Sequence, residues 1–295
     1  MKVGTDKTGP AVSDNRPIGV FDSGIGGLTV LKEIWNALPG ESTVYFGDNG
    51  RTPYGTKSHE TIVSYSLQNM RFLLSRDVKM IVIACNTASA HAFDAVRKQA
   101  GVPVVEVISP GALQAVKTTR TGRIGIIATR ATVSSGVYKV AVEDAAEKLR
   151  EQGQNNKALV GLYVEQAACP LFVSLAEEGW WDTEVSRLTA QEYLKGLKGS
   201  HIDTLILGCT HYPLLTRTIA SVMGGGTNLI NAGASVAHRV TEVLSVNHLR
   251  NLSGEKPQHA FYTSDDPEMF ENVTAPFLGG DKPSGTKRVN TELFV

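Results

Sequence analysis

Cysteine is scarce in this chain: 295 residues contain three, at positions 85, 169 and 209. An odd and sparse set does not make a disulfide framework. No Cys-x-x-Cys or His-x-x-x-His spacing occurs, so zinc is a weak reading even though His211 lies close to Cys209. An excess of charge of either sign is also lacking, with 29 basic and 29 acidic residues. Nothing in that balance points to nucleic acid or an anionic membrane as a partner. No apolar run approaches the roughly 18 residues of a membrane span. Residues 1–15 are polar and aperiodic, with no apolar core of the kind a secretory signal needs, and are expected to form a disordered tail. These absences leave a soluble cytoplasmic protein of one large or two ordinary domains.

Two stretches carry the strongest pattern. Met80–Ile81–Val82–Ile83–Ala84–Cys85–Asn86–Thr87–Ala88–Ser89 is echoed by Leu205–Ile206–Leu207–Gly208–Cys209–Thr210–His211–Tyr212–Pro213. In each, a short aliphatic run reads as a buried parallel strand, followed by a small residue, a cysteine, a capping residue and a helical pattern. Each thiol is thus predicted at the carboxyl end of a strand and the amino end of a helix. There, backbone N–H groups and the helix dipole favour thiolate over a thiol whose free pKa is about 8.5.

The rest of the chain alternates strand and helix. Ile18–Gly19–Val20–Phe21 is a strand, followed by a glycine-rich turn and a helix from Leu28 to Leu38. A strand at Val44–Tyr45–Phe46–Gly47–Asp48, a helix over residues 58–75, the first cysteine strand and a strand over residues 104–108 come next. The alternation then restarts at Arg123–Ile124–Gly125–Ile126–Ile127–Ala128–Thr129. A helix over residues 133–151, a strand over 158–163, a helix over 183–197 and the second cysteine strand complete the round. A weak internal duplication with one cysteine per half predicts two βαβ arrays with parallel sheets. A strand at Asn228–Leu229–Ile230 and a helix over 233–249 follow, and the chain past Gly279 turns polar and is expected to fray.

Several side chains have a bland alternative. A single buried thiol is ordinary packing, but two in matched strand-end positions point to ligands, which bind outside the carboxyl ends of open α/β sheets. Asp22 ends the first strand where Cys85 should emerge, so a polar or catalytic role is the better reading. Ser23 is as readily a helix cap. Gly24, Gly26 and Gly27 allow close approach of an anion, but the full G-x-G-x-x-G pattern is missing and a nucleotide site is improbable. Pro53–Tyr54–Gly55 is an ordinary turn signature, and Thr129 and Thr132 read as caps. His211, beside Cys209, suits a proton relay at least as well as a solvated surface. Cys169 lies in no evident strand-to-helix turn and is assigned to packing; His91 has no assignable task.

Taken together, these motifs resemble glutamate racemase, a cofactor-independent enzyme supplying D-glutamate for bacterial peptidoglycan. The matching stretches are Gly19–Val20–Phe21–Asp22–Ser23–Gly24–Ile25–Gly26–Gly27–Leu28, Pro53–Tyr54–Gly55, Ala84–Cys85–Asn86–Thr87–Ala88–Ser89 and Gly208–Cys209–Thr210–His211–Tyr212–Pro213. They run in the family's order from about Arg16 to Gly279, and the Thr-His-Tyr-Pro run favours glutamate over the related aspartate racemases. Two departures, Thr52 before the Pro-Tyr-Gly run and Ser174 in place of proline, touch neither cysteine.

The resemblance implies two pseudo-symmetric α/β domains with mainly parallel central sheets and the active site between them. The first would be discontinuous, residues 16–108 plus 225–279, the second residues 109–224, with 280–295 a C-terminal tail. It implies Cys85 and Cys209 as the acid/base pair, assisted by Asp22 and His211, with Cys85 facing D-glutamate and Cys209 facing L-glutamate. Ser23, Asn86, Thr87 and Thr210 would hold the α-amino and α-carboxylate groups. The backbone N–H groups of Tyr54 and Gly55 would take the side-chain carboxylate, with Pro53 beside them as a further substrate-binding residue. Thr129, Thr132 and Glu165 are further candidates for substrate contact. No cofactor or metal is expected, and the assembly is expected to be a homodimer. The rival readings are an aspartate racemase or related racemase or decarboxylase, and a dicarboxylate-binding module without turnover.

Overall fold

The computed structural model describes residues 13–153 and 157–295. In chain order it builds β1 (Ile18–Asp22), α1 (Leu28–Ala37), β2 (Thr43–Gly47), α2 (His59–Leu74), β3 (Met80–Ile83), α3 (Asn86–Gln99), β4 (Val104–Glu106) and α4 (Ile108–Thr118). The second round is β5 (Arg123–Ala128), α5 (Arg130–Ser135), α6 (Val137–Glu151), β6 (Tyr163–Ala168), α7 (Leu171–Glu177), α8 (Glu184–Gly199), β7 (Thr204–Gly208), α9 (Thr216–Met223) and β8 (Asn228–Ile230). The chain closes with α10 (Ala232–Val246), β9 (His259–Thr263), α11 (Pro267–Thr274) and β10 (Lys287–Arg288).

Two sheets result, both parallel throughout: six strands in the order β10-β9-β2-β1-β3-β4, and four in the order β6-β5-β7-β8. In each, the first strand of the round lies between the second and the third, so β1 corresponds to β5, β2 to β6 and β3 to β7. The duplication read from the sequence is therefore a repeat of topology. Every residue of β1, β2, β3 and β7 is buried, which is why these strands read as unbroken apolar runs. One apolar cluster passes from Val20 and Val82 of the first sheet, through Leu31 of α1, Val240 of α10 and Ala112 of α4, to Ile126 and Ile206 of the second. The two halves thus share a core instead of meeting at a solvated surface.

Four expectations need correction. The strand expected over residues 158–163 lies later, at β6, because Gly161 takes φ +81° and breaks the apolar run before it can extend. The helix expected over 133–151 is divided at Gly136, which adopts φ +68° between α5 and α6. The strand Asn228–Ile230, which the resemblance grouped with the first domain, is hydrogen-bonded to β7 and extends the second sheet. The tail over 280–295 does not simply fray: Lys287–Arg288 pairs with β9, Val289 is buried, and Phe294 stacks edge-on against Phe72 of α2 at 5.5 Å between ring centroids.

Of the disordered tail expected over residues 1–15, residues 1–12 lie outside the described residues. The last three are held: Asp14 N–H donates to the Arg250 carbonyl (3.2 Å), and its own carbonyl accepts from the buried Lys79 ammonium (2.7 Å). Among the described residues no helix is long and apolar enough to cross a membrane.

The C-terminal segment covers the outer face of α2 through a half-buried aromatic ring. Phe294→Ala is expected to cost about 1–2 kcal/mol in urea unfolding, roughly half the usual Phe→Ala core penalty. An unchanged midpoint would show that the segment adds nothing to the fold.

Candidate active site

Because all strands of both sheets are parallel, the turns after β1, β3, β5 and β7 gather at their carboxyl ends, facing one another across the junction of the halves. Cys85 follows β3 as the N-cap of α3, with its sulfur accepting from the Ala88 N–H at 3.4 Å and donating to Ser23 Oγ at 3.4 Å. Asp22, at the end of β1, is fully buried; Oδ2 accepts from the Gly24 N–H at 3.0 Å, while Oδ1 has no hydrogen-bond partner. Cys209 follows β7, and its sulfur lies 3.8 Å from His211 Nδ1. The other imidazole nitrogen, Nε2, sits 2.9 Å from Glu177 Oε1 on α7.

The halves touch directly here. The turn after β1 lies so close to the second cysteine motif that a Cβ on Gly26 would fall 2.3 Å from Thr210 Oγ1 and 2.6 Å from His211 Nδ1. Thr29 Oγ1 donates to the Thr210 carbonyl at 3.1 Å. On the other side, Asn86 Oδ1 accepts from the Tyr138 hydroxyl at 2.6 Å. The hydroxyls of Thr87, Thr129 and Thr132 form a triangle with sides of 2.9, 3.1 and 3.0 Å. Thr129 also stands against Gly55, where a Cβ would come within 2.8 Å of its own. Thirteen of the fourteen expected site residues thus lie in or beside this junction, with Pro53 opening the short helical turn that carries Tyr54 and Gly55.

The fourteenth does not. Glu165 is the third residue of the edge strand β6, where it accepts from the Tyr163 hydroxyl at 2.9 Å and packs against Gly196 of α8. The carboxylate that contacts His211 is Glu177, which nothing in the sequence marks. Cys169 is also repositioned: it does lie in a strand-to-helix turn, between β6 and α7, but it is fully buried and its carbonyl accepts from Tyr212 at 2.8 Å. His91 bridges α3 and α5, with Nε2 at 3.2 Å from the Ala131 carbonyl and Nδ1 at 3.1 Å from His59 Nδ1.

Electrostatics depart from the simple helix-start expectation. Burial, reinforced by the Asp22 charge, pushes the Cys85 thiol up to about 12. A helix terminus is worth at most about 2 kcal/mol, or about 1.5 pKa units. Full burial moves a group by up to 3–5 units, so burial wins. The second thiol does not begin a long helix at all: a single 3-10 turn, Tyr212–Leu215, follows it before α9. Burial raises the Asp22 carboxyl as well, partly offset by the positive His211 across the junction. For His211 burial acts to lower the pKa, but the Cys209 and Glu177 contacts outweigh it and hold the imidazole protonated up to about 10. Among the described residues no cluster of three or more His, Cys, Asp and Glu converges to hold a metal ion.

The sequence model of Asp/Glu/Hydantoin racemase matches residues 18–240. A glutamate racemase of Geobacter metallireducens is 48% identical over 265 residues, 90% of this chain and 93% of the relative. A glutamate racemase of Francisella tularensis, solved in complex with D-glutamate, superposes with a TM-score of 0.85 at 38% identity, covering 95% of this chain and 100% of that one. An aspartate racemase of Picrophilus torridus shares the fold, with a TM-score of 0.54 at 16% identity.

The raised His211 pKa has a sign that can be tested. A protonated His211 paired with Glu177 stabilises the fold fully below its ordinary value of 6.5, and that contribution is lost as pH rises toward about 10. Glu177→Gln is expected to lower the imidazole titration seen by NMR and to reduce the fall in stability across that window. Identical titrations in both proteins would remove Glu177 from the site. Near neutral pH, Cys85 in the substrate-free protein should alkylate more slowly with iodoacetamide than the same thiol in urea, since only thiolate reacts.

The match over residues 18–240, together with relatives of this identity and coverage, places the chain in the Asp/Glu/Hydantoin racemase family, to which it belongs alongside the glutamate racemases.

Proposed function

We propose that the chain interconverts L- and D-glutamate by a two-thiol acid/base reaction, without an added cofactor, as a cytoplasmic homodimer supplying D-glutamate for peptidoglycan. The observation that carries the reading is the placement of two thiols at equivalent strand ends of a repeated sheet topology, each beside its own ionisable assistant. Inversion at a carbon centre requires a proton removed from one face and another returned to the opposite face. Two thiols across a cleft meet that requirement without turning the substrate over.

The two assistants fit opposite halves of the cycle. Next to Cys209 stands the positive His211 imidazolium, which Glu177 holds in place. This arrangement suits removal of the α-proton on the Cys209 face while Cys85, a neutral thiol, delivers one on the other. In the reverse direction Cys85 must lose its proton. Asp22, with an unpartnered oxygen and a carboxyl raised by burial, is the neighbouring group assigned to receive it. The α-amino and α-carboxylate groups are assigned to Ser23, Asn86, Thr87 and Thr210, and the side-chain carboxylate to the Tyr54–Gly55 backbone facing Thr129. Developing negative charge at the carbanion is met by fixed donors in a site largely closed to water.

Deuterium from solvent is expected at the α-position of either glutamate enantiomer, with much slower exchange into aspartate. No exchange into glutamate would leave a binding module, and aspartate exchanging faster would make aspartate the substrate. Activity should survive exhaustive chelation, and sedimentation should report two chains.

Cys85→Ser and Cys209→Ser should each abolish racemisation while the fold survives, since a hydroxyl is a far weaker proton carrier near neutral pH. With a β-chlorinated glutamate, elimination of HCl needs only one proton abstraction, so each variant should retain elimination from one enantiomer only. Equal losses on both enantiomers in both variants would falsify the two-base assignment.

A further inference from the structure

We infer that a ring of four side chains, the buried Asp48, Tyr54 and Asn69 and the part-buried Arg51, is the positioning device that selects the length of the substrate's side chain. It deepens the glutamate reading and rests on it, because it concerns the turn to which the side-chain carboxylate is assigned. The Tyr54 hydroxyl donates to Asp48 Oδ2 and accepts from Asn69 Nδ2 at 3.0 Å. Asn69 Oδ1 accepts from Arg51 Nη2 at 3.0 Å, and Arg51 returns to Asp48 through Nε at 2.9 Å and Nη2 at 2.8 Å, closing the ring. Gln68 takes the remaining nitrogen, Nη1. The guanidinium lies 4.0 Å from the Tyr65 ring centroid, and the Tyr65 ring in turn lies 5.7 Å from that of Tyr54.

Tyr54 is only 1% exposed, so its ring serves as an anchor. Burial and the Asp48 charge keep the phenol well above its ordinary pKa, so it remains a donor. By contrast Thr52, Pro53 and Thr56 on the same turn are exposed. A short turn with exposed flanks would sample many backbone positions, and ordering it carries a conformational-entropy cost. Charge-assisted hydrogen bonds in the ring supply that order before substrate arrives. None of the four side chains hydrogen-bonds to either thiol, so the ring acts on where the Tyr54 and Gly55 amides stand and not on proton transfer. Glutamate reaches those amides; aspartate, one methylene shorter, gains less from them. Loosening the turn therefore weakens glutamate more than aspartate.

The test uses Asn69→Ala and Arg51→Lys in the full chain, measuring steady-state kinetics on glutamate and α-deuterium exchange into glutamate and aspartate. For Asn69→Ala, KM for glutamate should rise about tenfold with kcat lowered less than threefold, and the glutamate-to-aspartate exchange ratio should fall about tenfold. Arg51→Lys keeps the charge but loses the planar fork, and should fall between Asn69→Ala and the unsubstituted chain. A thermal melt on each variant identifies loss of fold, and Arg51→Lys keeps the inference testable if Asn69→Ala does not fold. Folded variants with unchanged KM and unchanged ratio, or with kcat and KM moving together for both substrates, would overturn the positioning role alone. Absence of glutamate exchange in the unsubstituted chain would overturn the activity itself.

Discussion

The cleft depends on one contact, the approach of the glycine turn after β1 to Thr210 and His211. Space for it exists only because position 26 has no side chain beyond hydrogen, since a Cβ there would fall 2.3 Å from a threonine oxygen. The Thr29 hydroxyl then closes the gap with a hydrogen bond to the Thr210 carbonyl. Behind this contact runs an apolar cluster spanning both sheets, so the halves are held by burial as well as by the site itself. The consequence is electrostatic. Both thiols, Asp22 and His211 are at most 7% exposed, and charges facing each other at low effective dielectric act far more strongly than in water.

That burial explains why the site is asymmetric within a symmetric frame. Two equivalent strands deliver two thiols, yet one stands beside a carboxyl group and the other beside an imidazolium. Had both assistants been carboxylates, two thiolates would be disfavoured together; had both been cations, neither thiol would hold a proton to give. One neighbour of each kind leaves the two faces of the proposed site electrostatically distinct, as a two-base inversion needs. Glu177, more than a third exposed, extends the second pair toward solvent. Asp22 is sealed in, with one carboxylate oxygen lacking a hydrogen-bond partner.

Much of this was legible in the amino-acid order, for definite reasons. Buried parallel strands announce themselves as aliphatic runs, so β1, β3, β5 and β7, and the residues directly after them, could be located within a residue or two. Asp22, Cys85, Thr129 and Cys209 came into view together because all follow such runs. What failed was less periodic. Strand β6 sits at the sheet edge with the sequence Tyr-Val-Glu-Gln-Ala-Ala, polar enough to look like a loop, and its misplacement hid the turn that holds Cys169. Glu177 sits near the end of a seven-residue helix and gains its role only through the fold. The depressed thiol pKa failed for another reason: helix position can be read from sequence, but the depth of burial that overrides it cannot.

The duplication also accounts for how the loops near the cleft are held. Asp48 follows β2 and Cys169 follows β6, which are equivalent places in the two sheets. In the first half, the Asp48 carboxylate accepts the hydroxyl of Tyr54. In the second, the Cys169 backbone carbonyl accepts that of Tyr212 at 2.8 Å. Both rings are almost wholly buried, and each belongs to a turn that reaches the cleft. A tyrosine suits this task because its apolar body packs in the core while its polar tip demands a partner at a fixed distance. Each half thus ties its loop to the strand end beside its central strand, once through a side chain and once through the backbone. The backbone acceptor leaves position 169 free to be a small buried thiol. The carboxylate acceptor requires a counter-charge, which is why Arg51, with Gln68 and Asn69 around it, is found on the Asp48 side.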